Sequence, residues 1–356
     1  MDIGVIRERA AFDTRVGLTP PVVRRLASAG HTVWVEKGAG DGAMFRDTEY
    51  IRSGGHIVYS PAEVLQRAEL VAKIGRPTAE ELALCRPGTV VSAFYHLAVA
   101  DRWLLEALEG RAITSIGCEV IQQENGRLPV LAAVSELAGQ MAVSIAAHLL
   151  RSSSGGRGIL LGGTPGVPPA RVVIFGAGSV GSAAARTAVA TGARVLAFDI
   201  DPYKLRRVME HVRGVETCLA DDDAIADAVA DADVLIGAIL VAGTRSPHVV
   251  TRAMVESMKP GSAIIDVSID QGGCIETSRP TTLADPTFLY KGVTHFCVPN
   301  ITADLGRSSS VAIAQATLPY LQEVARLGVE AAVQSCPEMA RGVYTMRGKP
   351  AAGRCL

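Results

Sequence analysis

A glycine-rich segment between an apolar run and a helical pattern carries the clearest chemistry in the sequence. GAGSVG directly follows RVVIF and contains Gly176, Gly178 and Gly181. In a dinucleotide site the first glycine permits a tight turn, the second admits the pyrophosphate, and the third lets the helix pack on the strand. The next run, RVLAF, ends at Asp199, whose carboxylate can accept hydrogen bonds from both ribose hydroxyls and repels a 2′-phosphate. The segment therefore predicts a dinucleotide site that favours NAD over NADP.

Some assignments within this segment stay open. Asp201 stands close enough to Asp199 to take the ribose role, and Asp199 could instead be a solvated carboxylate at a strand end. Lys204 could lie along the adenosine or could be a surface lysine. A glycine-rich strand, turn and helix that binds no ligand is the competing interpretation of the whole segment.

Three polar residues in the first half of the chain could handle a substrate. Lys73 ends the run LVAK, His96 follows TVVSAFY, and Arg15 lies in FDTRVGLTP. Residues at the carboxyl ends of parallel strands face the crevice where ligands bind. Arg15 offers a planar fork for a carboxylate, Lys73 a mobile charge for a carboxylate or carbonyl oxygen, and His96 a proton near neutral pH. Taken singly, the two cations could be surface charges and His96 a hydrogen-bonded core histidine.

Short apolar runs alternate with helical patterns, which predicts an α/β protein with two doubly wound parallel sheets. The runs are DIGVI, HTVWVE, LVAKI, TVVSAF and AITSI, then RVVIFG, RVLAFD, DVLIGAIL, SAIIDVS and FCV. A long helix is predicted around 131–150, followed by turns and a short hairpin. Another helical pattern follows Asn300 and could return to the first half. We therefore predict a discontinuous flavodoxin/Rossmann-like catalytic domain (1–130 and 308–356), a Rossmann NAD-binding domain (131–307), and a substrate site between them.

Composition argues against several classes of protein. Lys plus Arg (35) balance Asp plus Glu (36), so no strong field favours nucleic acid or anionic lipid. The seven cysteines include no CxxC pair, which predicts neither a disulfide framework nor a metal site. The longest apolar stretch, AAVSELAGQMAVSIAAHLL, is interrupted by polar residues, and the start MDIGVIRERA has no secretory pattern. We expect a cytoplasmic protein that binds neither nucleic acid nor membrane.

Several stretches resemble the alanine dehydrogenase family, which is related to the soluble NAD-binding part of nicotinamide nucleotide transhydrogenase. They span nearly the full chain in this order: RVGLTP, GAGDGAMF, AFYHLA, LPVLAAVSELAGQMA, GGTPGVPPARVVIFGAGSVG, MKPGSAIIDVSIDQGGCIETSRPTT and QATLPY. The stretch DQGGCIETSRPTT is much more specific than a glycine fingerprint.

The resemblance implies roles for particular residues. Arg15 would hold the substrate carboxylate, Lys73 the substrate oxygen, and His96 the proton. Asp270, in VSIDQGG, would lie beside the nicotinamide and assist the water and ammonia steps, and Asn300 would contact substrate and cofactor. Cofactor contacts are implied for Ser135, Gly176, Gly178, Ser179, Val180, Gly181, Asp199, Lys204, Leu240, Arg279 and Asn300.

The activity implied by the resemblance is NAD-dependent oxidative deamination of an L-amino acid to a 2-oxo acid and ammonium, or the reverse reductive amination. The substrate would be alanine or a related, larger or more polar amino acid. The family commonly forms hexamers, so a homo-oligomer is expected. Two alternatives stay open: a transhydrogenase-type NAD(H)-binding subunit that passes hydride to a partner, and a non-catalytic NAD-binding protein.

Two segments depart from the family pattern. The family usually has a glutamate before the proline that follows the catalytic lysine, in a KxKEP pattern, whereas this chain reads KIGRP with Arg76. After Asn300 a Pro-Gly-Ala-Val-Pro type loop is replaced by ITADLGRSSS, which introduces Asp304 and Arg307. Either Arg76 and Asp304 compensate each other as an ion pair, or the pocket is rebuilt for a larger or more polar amino acid.

Overall fold

The computed structural model describes residues 1–97, 100–241 and 245–351. The chain divides into two compact units. The first unit consists of Met1–Val134 and Ala303–Leu356, and the second unit is Ser135–Thr302. The first unit is therefore assembled from both ends of the chain.

The strands follow the apolar runs of the sequence. In chain order they are β1 (Asp2–Val5), β2 (Thr32–Glu36), β3 (Gly55–Val58), β4 (Leu70–Ala72), β5 (Val90–Ala93), β6 (Thr114–Gly117), β7 (Arg171–Phe175), β8 (Arg194–Asp199), β9 (Val215–Leu219), β10 (Val234–Gly237), β11 (Ala263–Asp266), β12 (Thr287–Tyr290), β13 (Val293–Phe296), β14 (Val343–Met346) and β15 (Lys349–Pro350).

The helices mostly alternate with these strands. They are α1 (Pro20–Ser28), α2 (Asp47–Arg52), α3 (Pro61–Arg67), α4 (Ala79–Leu84), α5 (Arg102–Gly110), α6 (Pro129–Leu149), α7 (Ser179–Ala190), α8 (Pro202–His211), α9 (Asp222–Asp231), α10 (Arg252–Glu256), α11 (Gly306–Leu327), α12 (Val329–Ser335) and α13 (Pro337–Ala340).

The sheet of the first unit has the strand order β15-β14-β6-β5-β4-β1-β2-β3. Strands β1 to β6 pair in parallel, and β14 and β15 add antiparallel pairs at one edge. Strands β4, β5 and β6 are buried along their whole length, as expected for a parallel sheet covered by helices on both faces. The strand order reverses direction between β1 and β4, which is where a doubly wound sheet opens a crevice at the carboxyl ends of its strands.

The sheet of the second unit has the order β12-β13-β11-β10-β7-β8-β9. Its pairs are parallel except for the antiparallel edge strand β12. The order reverses between β7 and β10, so the glycine-rich loop after β7 begins at the switch point. The predicted α/β class with two doubly wound sheets is confirmed.

Some local predictions differ from the structure. The predicted runs omitted β3, β9, β12, β14 and β15; β9 and β12 are only partly buried, and β14 and β15 form the antiparallel edge of the first sheet. The strand predicted at FCV lies earlier, at Val293–Phe296. The short hairpin predicted after α6 is present in minimal form, as a single antiparallel pair in which Thr164 and Val167 exchange backbone hydrogen bonds of 3.0 Å and 2.8 Å around a two-residue turn.

Helix α6 is the one helix in the described parts of the chain whose length and composition would allow it to cross a membrane. Its mean hydropathy over the most apolar window is 1.6, and 33% of that window is buried. The helix also contains Glu136, Gln140 and His148. A single helix of this kind is weak evidence, since core helices of soluble proteins have the same composition.

Candidate active site

The carboxyl end of β4 places Lys73 between two buried carboxylates. Its Nζ lies 2.8 Å from Glu8 Oε2, just beyond β1, and 3.4 Å from Glu81 Oε1 in α4. The lysine side chain is only 2% exposed. Burial lowers the pKa of Lys73, but the attraction of Glu8 and Glu81 outweighs this effect and leaves the pKa raised. The ammonium group is therefore charged at neutral pH, and the carboxylates of Glu8 and Glu81 balance its charge inside the first unit.

The two carboxylates also fix the main chain around Lys73. Glu8 accepts hydrogen bonds from the backbone N–H of Ile74 (2.7 Å) and Gly75 (3.1 Å). Glu81 Oε2 accepts the N–H of Thr78 at the start of α4 (2.9 Å). Lys73 thereby links the ends of β1 and β4 with the first turn of α4.

This environment bears on the predicted substrate contact of Lys73. The KxKEP pattern contains two lysines, and this chain keeps the first as Lys73 and has Gly75 at the second. A buried lysine held by two carboxylates has a structural role, and its contact with a substrate oxygen stays a prediction. The carboxylates Glu8 and Glu81 were missed in the sequence, although Glu8 stands three residues beyond an apolar strand at the switch point.

Arg15 is also paired within the first unit. Its Nε and Nη2 lie 2.8 Å and 2.6 Å from the two oxygens of Asp13, and the two side chains are 4% and 2% exposed. The flanking backbone is tied to the chain beyond residue 302, because Thr14 Oγ1 donates to the Ala303 carbonyl and Val16 N–H donates to Ser310 Oγ. The guanidinium orientation is therefore fixed, with part of its charge balanced by Asp13.

His96 lies in the turn after β5 with a left-handed backbone. Its φ is 46°, a conformation that is uncommon for residues other than glycine, although histidine adopts it more often than most. Its backbone N–H donates to Glu119 Oε1 at 2.6 Å, and the N–H of Tyr95 donates to both oxygens of the same carboxylate. Glu119 is 5% exposed and also accepts the hydroxyl of Tyr344 at 2.9 Å. This buried carboxylate, which sequence analysis missed, organises the histidine turn.

Arg76 approaches the same turn. Its Nε donates to the carbonyl of Tyr95, and its Nη2 donates to the carbonyl of His96 at 3.1 Å. Neither contact involves Asp304, the residue that would form an ion pair with Arg76 if the two departures from the family pattern compensated each other. Arg76 instead binds the main chain of the residue predicted to transfer the proton.

In the second unit, the three glycines after β7 have distinct steric environments. A Cβ at Gly176, whose φ is 104°, would lie 2.5 Å from the Ala238 carbonyl oxygen, and one at Gly181 would lie 1.7 Å from the Gly176 carbonyl oxygen. A Cβ at Gly178 would meet no atom within 4 Å, so the space beside this residue is open. Gly178 is also the N-cap of α7 and forms no side-chain cap. A loop with open space at its second glycine and uncapped helix N–H groups fits a pyrophosphate.

Asp199 ends β8 and is tied to this loop. Its carboxylate accepts the N–H of Ala177 at 2.7 Å and that of Asp201 at 2.9 Å, and the residue is 8% exposed. Asp201 instead caps α8 by accepting the N–H of Tyr203. Lys204 Nζ lies 3.8 Å from Asp199 Oδ2, with its side chain 46% exposed. Asp199, rather than Asp201, is therefore the acid beside the glycine loop.

Asp270 and Asn300 are brought together in the second unit. Asp270 lies in a 3-10 helix, Val267–Gln271, that follows β11, and its Oδ1 accepts the N–H of Asn300 at 2.6 Å. Asn300 has a φ of 55°, a conformation that asparagine tolerates better than most residues. This bond holds the Asp270 carboxylate against the turn after β13.

The other predicted cofactor residues lie at separate points of the second unit. Ser179 and Val180 begin α7, Ser135 is half-buried in α6, and Leu240 follows β10 with 48% of its surface exposed. The guanidinium of Arg279 stacks over the ring of Phe288 at 4.3 Å. Their contacts with a cofactor stay predictions.

Cysteines and acidic residues do not form a metal cluster in the described residues. No group of three or more His, Cys, Asp or Glu side chains there could hold a metal ion. The described cysteines are all free thiols, and Cys355 lies outside the described residues. Asp266, also missed in the sequence, is a buried carboxyl that accepts the N–H groups of Ser268 and Cys274, and burial raises its pKa.

A doubly wound unit with this glycine loop and strand-end acid defines a dinucleotide-binding enzyme fold. The chain belongs to the alanine dehydrogenase/PNT family: the N-terminal domain of that family matches residues 4–138 and the C-terminal domain matches residues 142–352. The chain is an NAD-dependent amino acid dehydrogenase.

Individual relatives are similar along their whole length. The chain is 41% identical to the alanine dehydrogenase of Halomonas elongata, with 98% of this chain and 94% of the relative covered. A solved L-alanine dehydrogenase has a TM-score of 0.94 and 40% identity, with 99% and 97% of the two chains covered. A transhydrogenase from Sinorhizobium meliloti has a TM-score of 0.84 and 26% identity, with 99% of each chain covered.

Proposed function

We propose that this chain catalyses the oxidative deamination of a small L-amino acid, with L-alanine as the first candidate, and the reverse amination of the 2-oxo acid. The observation that supports the proposal is the fixed position of the two residues proposed to transfer protons. His96 is held by Glu119 through its main chain, and Asp270 is held by the N–H of Asn300. A protein that only bound NAD would not require either arrangement.

The second unit would bind the cofactor. The loop at Gly178 and the first N–H groups of α7 would face the pyrophosphate, and Asp199 would accept the ribose hydroxyls, with Lys204 beside it. Further contacts are proposed for Ser135, Gly176, Ser179, Val180, Gly181, Leu240, Arg279 and Asn300. When bound, NAD supplies the acceptor for the α-hydride.

The first unit would orient the substrate. Arg15 is proposed to face the substrate carboxylate, since Asp13 fixes its guanidinium. The amino acid loses a hydride and a proton to give an imine, water adds, and ammonium leaves as the 2-oxo acid forms. His96 and Asp270 would exchange the protons of these steps. Lys73 would act mainly by holding Glu8 and the end of β4.

A direct assay tests this function. NADH absorbance is followed with a panel of 2-oxo acids in the presence of ammonia, and we expect consumption with pyruvate. Consumption only with a larger or more polar 2-oxo acid would support a rebuilt pocket. Hydride exchange only with a second nucleotide and a partner would replace the proposal by a transhydrogenase role, and NADH binding without turnover on any acid would leave a non-catalytic protein.

Replacing Asp199 by asparagine should change cofactor preference. We expect NAD to bind about tenfold to a hundredfold more weakly, because a hydrogen bond to a charged group contributes about 1.5–3 kcal/mol. NADP binding should be unchanged or stronger, since the charge that repels the 2′-phosphate is removed. Titration calorimetry with both nucleotides measures the ratio, with Asp201→Asn as the matched control. Equal weakening of NAD and NADP would count against the ribose assignment.

We further propose that the protein is a cytoplasmic homo-oligomer, a hexamer by resemblance to its family. Its partners would be small molecules, the amino acid and the 2-oxo acid, and neither nucleic acid nor a membrane. Sedimentation velocity would measure the assembly.

A further inference from the structure

The turn that carries His96 is held by two charged residues of the first unit. Glu119 accepts the backbone N–H groups of Tyr95 and His96, and Arg76 donates to the carbonyl groups of the same two residues. At both residues, the backbone N–H therefore donates to a carboxylate and the backbone carbonyl accepts from a guanidinium. Charge-assisted bonds of this kind are stronger and more directional than neutral ones.

The conformation held in this way is one that needs support. His96 has a φ of 46°, and a non-glycine residue in the left-handed region carries a conformational cost that contacts with its surroundings must offset. Glu119 is buried and cannot follow a displaced turn easily, whereas Arg76 is exposed and reaches the turn from solvent. The two contacts together leave the main chain of His96 little freedom to relax.

Arg76 is also the residue at which this chain departs from the KxKEP pattern. A glutamate at this position would present oxygen atoms to the carbonyl oxygens of Tyr95 and His96 and could not donate to them. The arginine thus makes contacts that the usual residue of the pattern cannot make.

We propose that Arg76 is a positioning residue for the reaction, acting through the main chain of His96 and in concert with Glu119. The inference rests on the proposed function, in which His96 transfers a proton. A misplacement of a catalytic group by about 1 Å can lower a rate by about 100-fold. Loss of the Arg76 contacts is therefore expected to lower kcat by allowing the His96 turn to move.

The test compares Arg76→Glu, Arg76→Gln and Arg76→Lys in the full-length enzyme. We expect Arg76→Glu and Arg76→Gln to lower kcat between about tenfold and 100-fold with little change in the NADH Kd, and Arg76→Lys to recover part of the loss. The pH profile of kcat should shift in the first two variants, because the environment of the proton-transfer group changes. Arg102→Glu, a charge reversal at a side chain that is 91% exposed, is the matched control.

Hydrogen–deuterium exchange separates this inference from the proposed function. In the ligand-free enzyme, the backbone amides of Tyr95 and His96 should exchange faster in Arg76→Glu and Arg76→Gln than in wild type or Arg102→Glu. This measurement stands even if no 2-oxo acid is turned over. If Arg76→Glu, which moves the chain toward the family pattern, keeps the wild-type kcat, pH profile and exchange rate, the positioning role is refuted.

Discussion

Replacing His96 by asparagine is expected to lower kcat by about 10²–10⁴-fold, the usual contribution of a general acid or base. Asparagine tolerates a positive φ, so the backbone conformation at 46° should survive the substitution while the transferable proton is lost. The NADH Kd should stay near the wild-type value, because the proposed cofactor contacts lie in the second unit. Steady-state kinetics and NADH fluorescence titration measure the two quantities.

A matched control is His211→Asn, which removes an exposed imidazole at the end of α8. This variant should keep the wild-type kcat. If His96→Asn also retained the wild-type rate, the proton-transfer role of His96 would have to be abandoned.

Replacing Lys73 by methionine is expected to destabilise the enzyme by about 3–5 kcal/mol, the usual effect of removing one partner from a buried ion pair. The ammonium lies 2.8 Å from Glu8 and 3.4 Å from Glu81, and its loss would leave both carboxylates buried without a cation. At about 2–4 °C per kcal/mol for a unit of this size, Tm should fall by several degrees or more. Urea unfolding and calorimetry measure the loss.

Two comparisons make this result decisive. The double variant Lys73→Met with Glu8→Gln should recover part of the stability, because one uncompensated charge is removed. A lysine whose main role is to hold the substrate would behave differently, since Lys73→Met would then raise KM with little change in Tm. That second pattern would restore the predicted substrate contact and contradict the structural role.

Local features were the most predictable from the sequence. The glycine loop and Asp199 lie within one continuous β7–loop–α7–β8 segment, so their spacing in the sequence defines their geometry. The doubly wound sheets were predictable because buried parallel strands read as continuous apolar runs. The strands β9 and β12 escaped prediction because they are the two edge strands of their sheet and are only partly buried, and β9 also mixes polar with apolar residues.

Features that depend on distant partners were not predictable. Lys73 looks like a substrate cation because it ends an apolar strand, but the partner that balances it, Glu8, lies 65 residues away. Likewise, nothing in the local sequence around His96 indicates that Glu119 will bind its N–H groups. An acidic residue one to three positions beyond an apolar strand, as Glu8 and Glu119 both are, is the signal that could have identified them.

The discontinuity of the first unit has a consequence for how the chain matures during translation. Strand β6 gains its neighbour β14 only when residues about 230 positions later leave the ribosome, as the bond between Ser115 and Thr345 illustrates. The carboxylate of Glu119 likewise lacks the Tyr344 hydroxyl until synthesis is nearly complete. The contiguous second unit can fold first on the nascent chain, whereas the Glu119 carboxylate that holds the His96 turn gains its Tyr344 hydrogen bond only near the end of synthesis. A stop codon shortly before Tyr344 would therefore leave the nucleotide-binding unit able to fold and is expected to abolish catalysis.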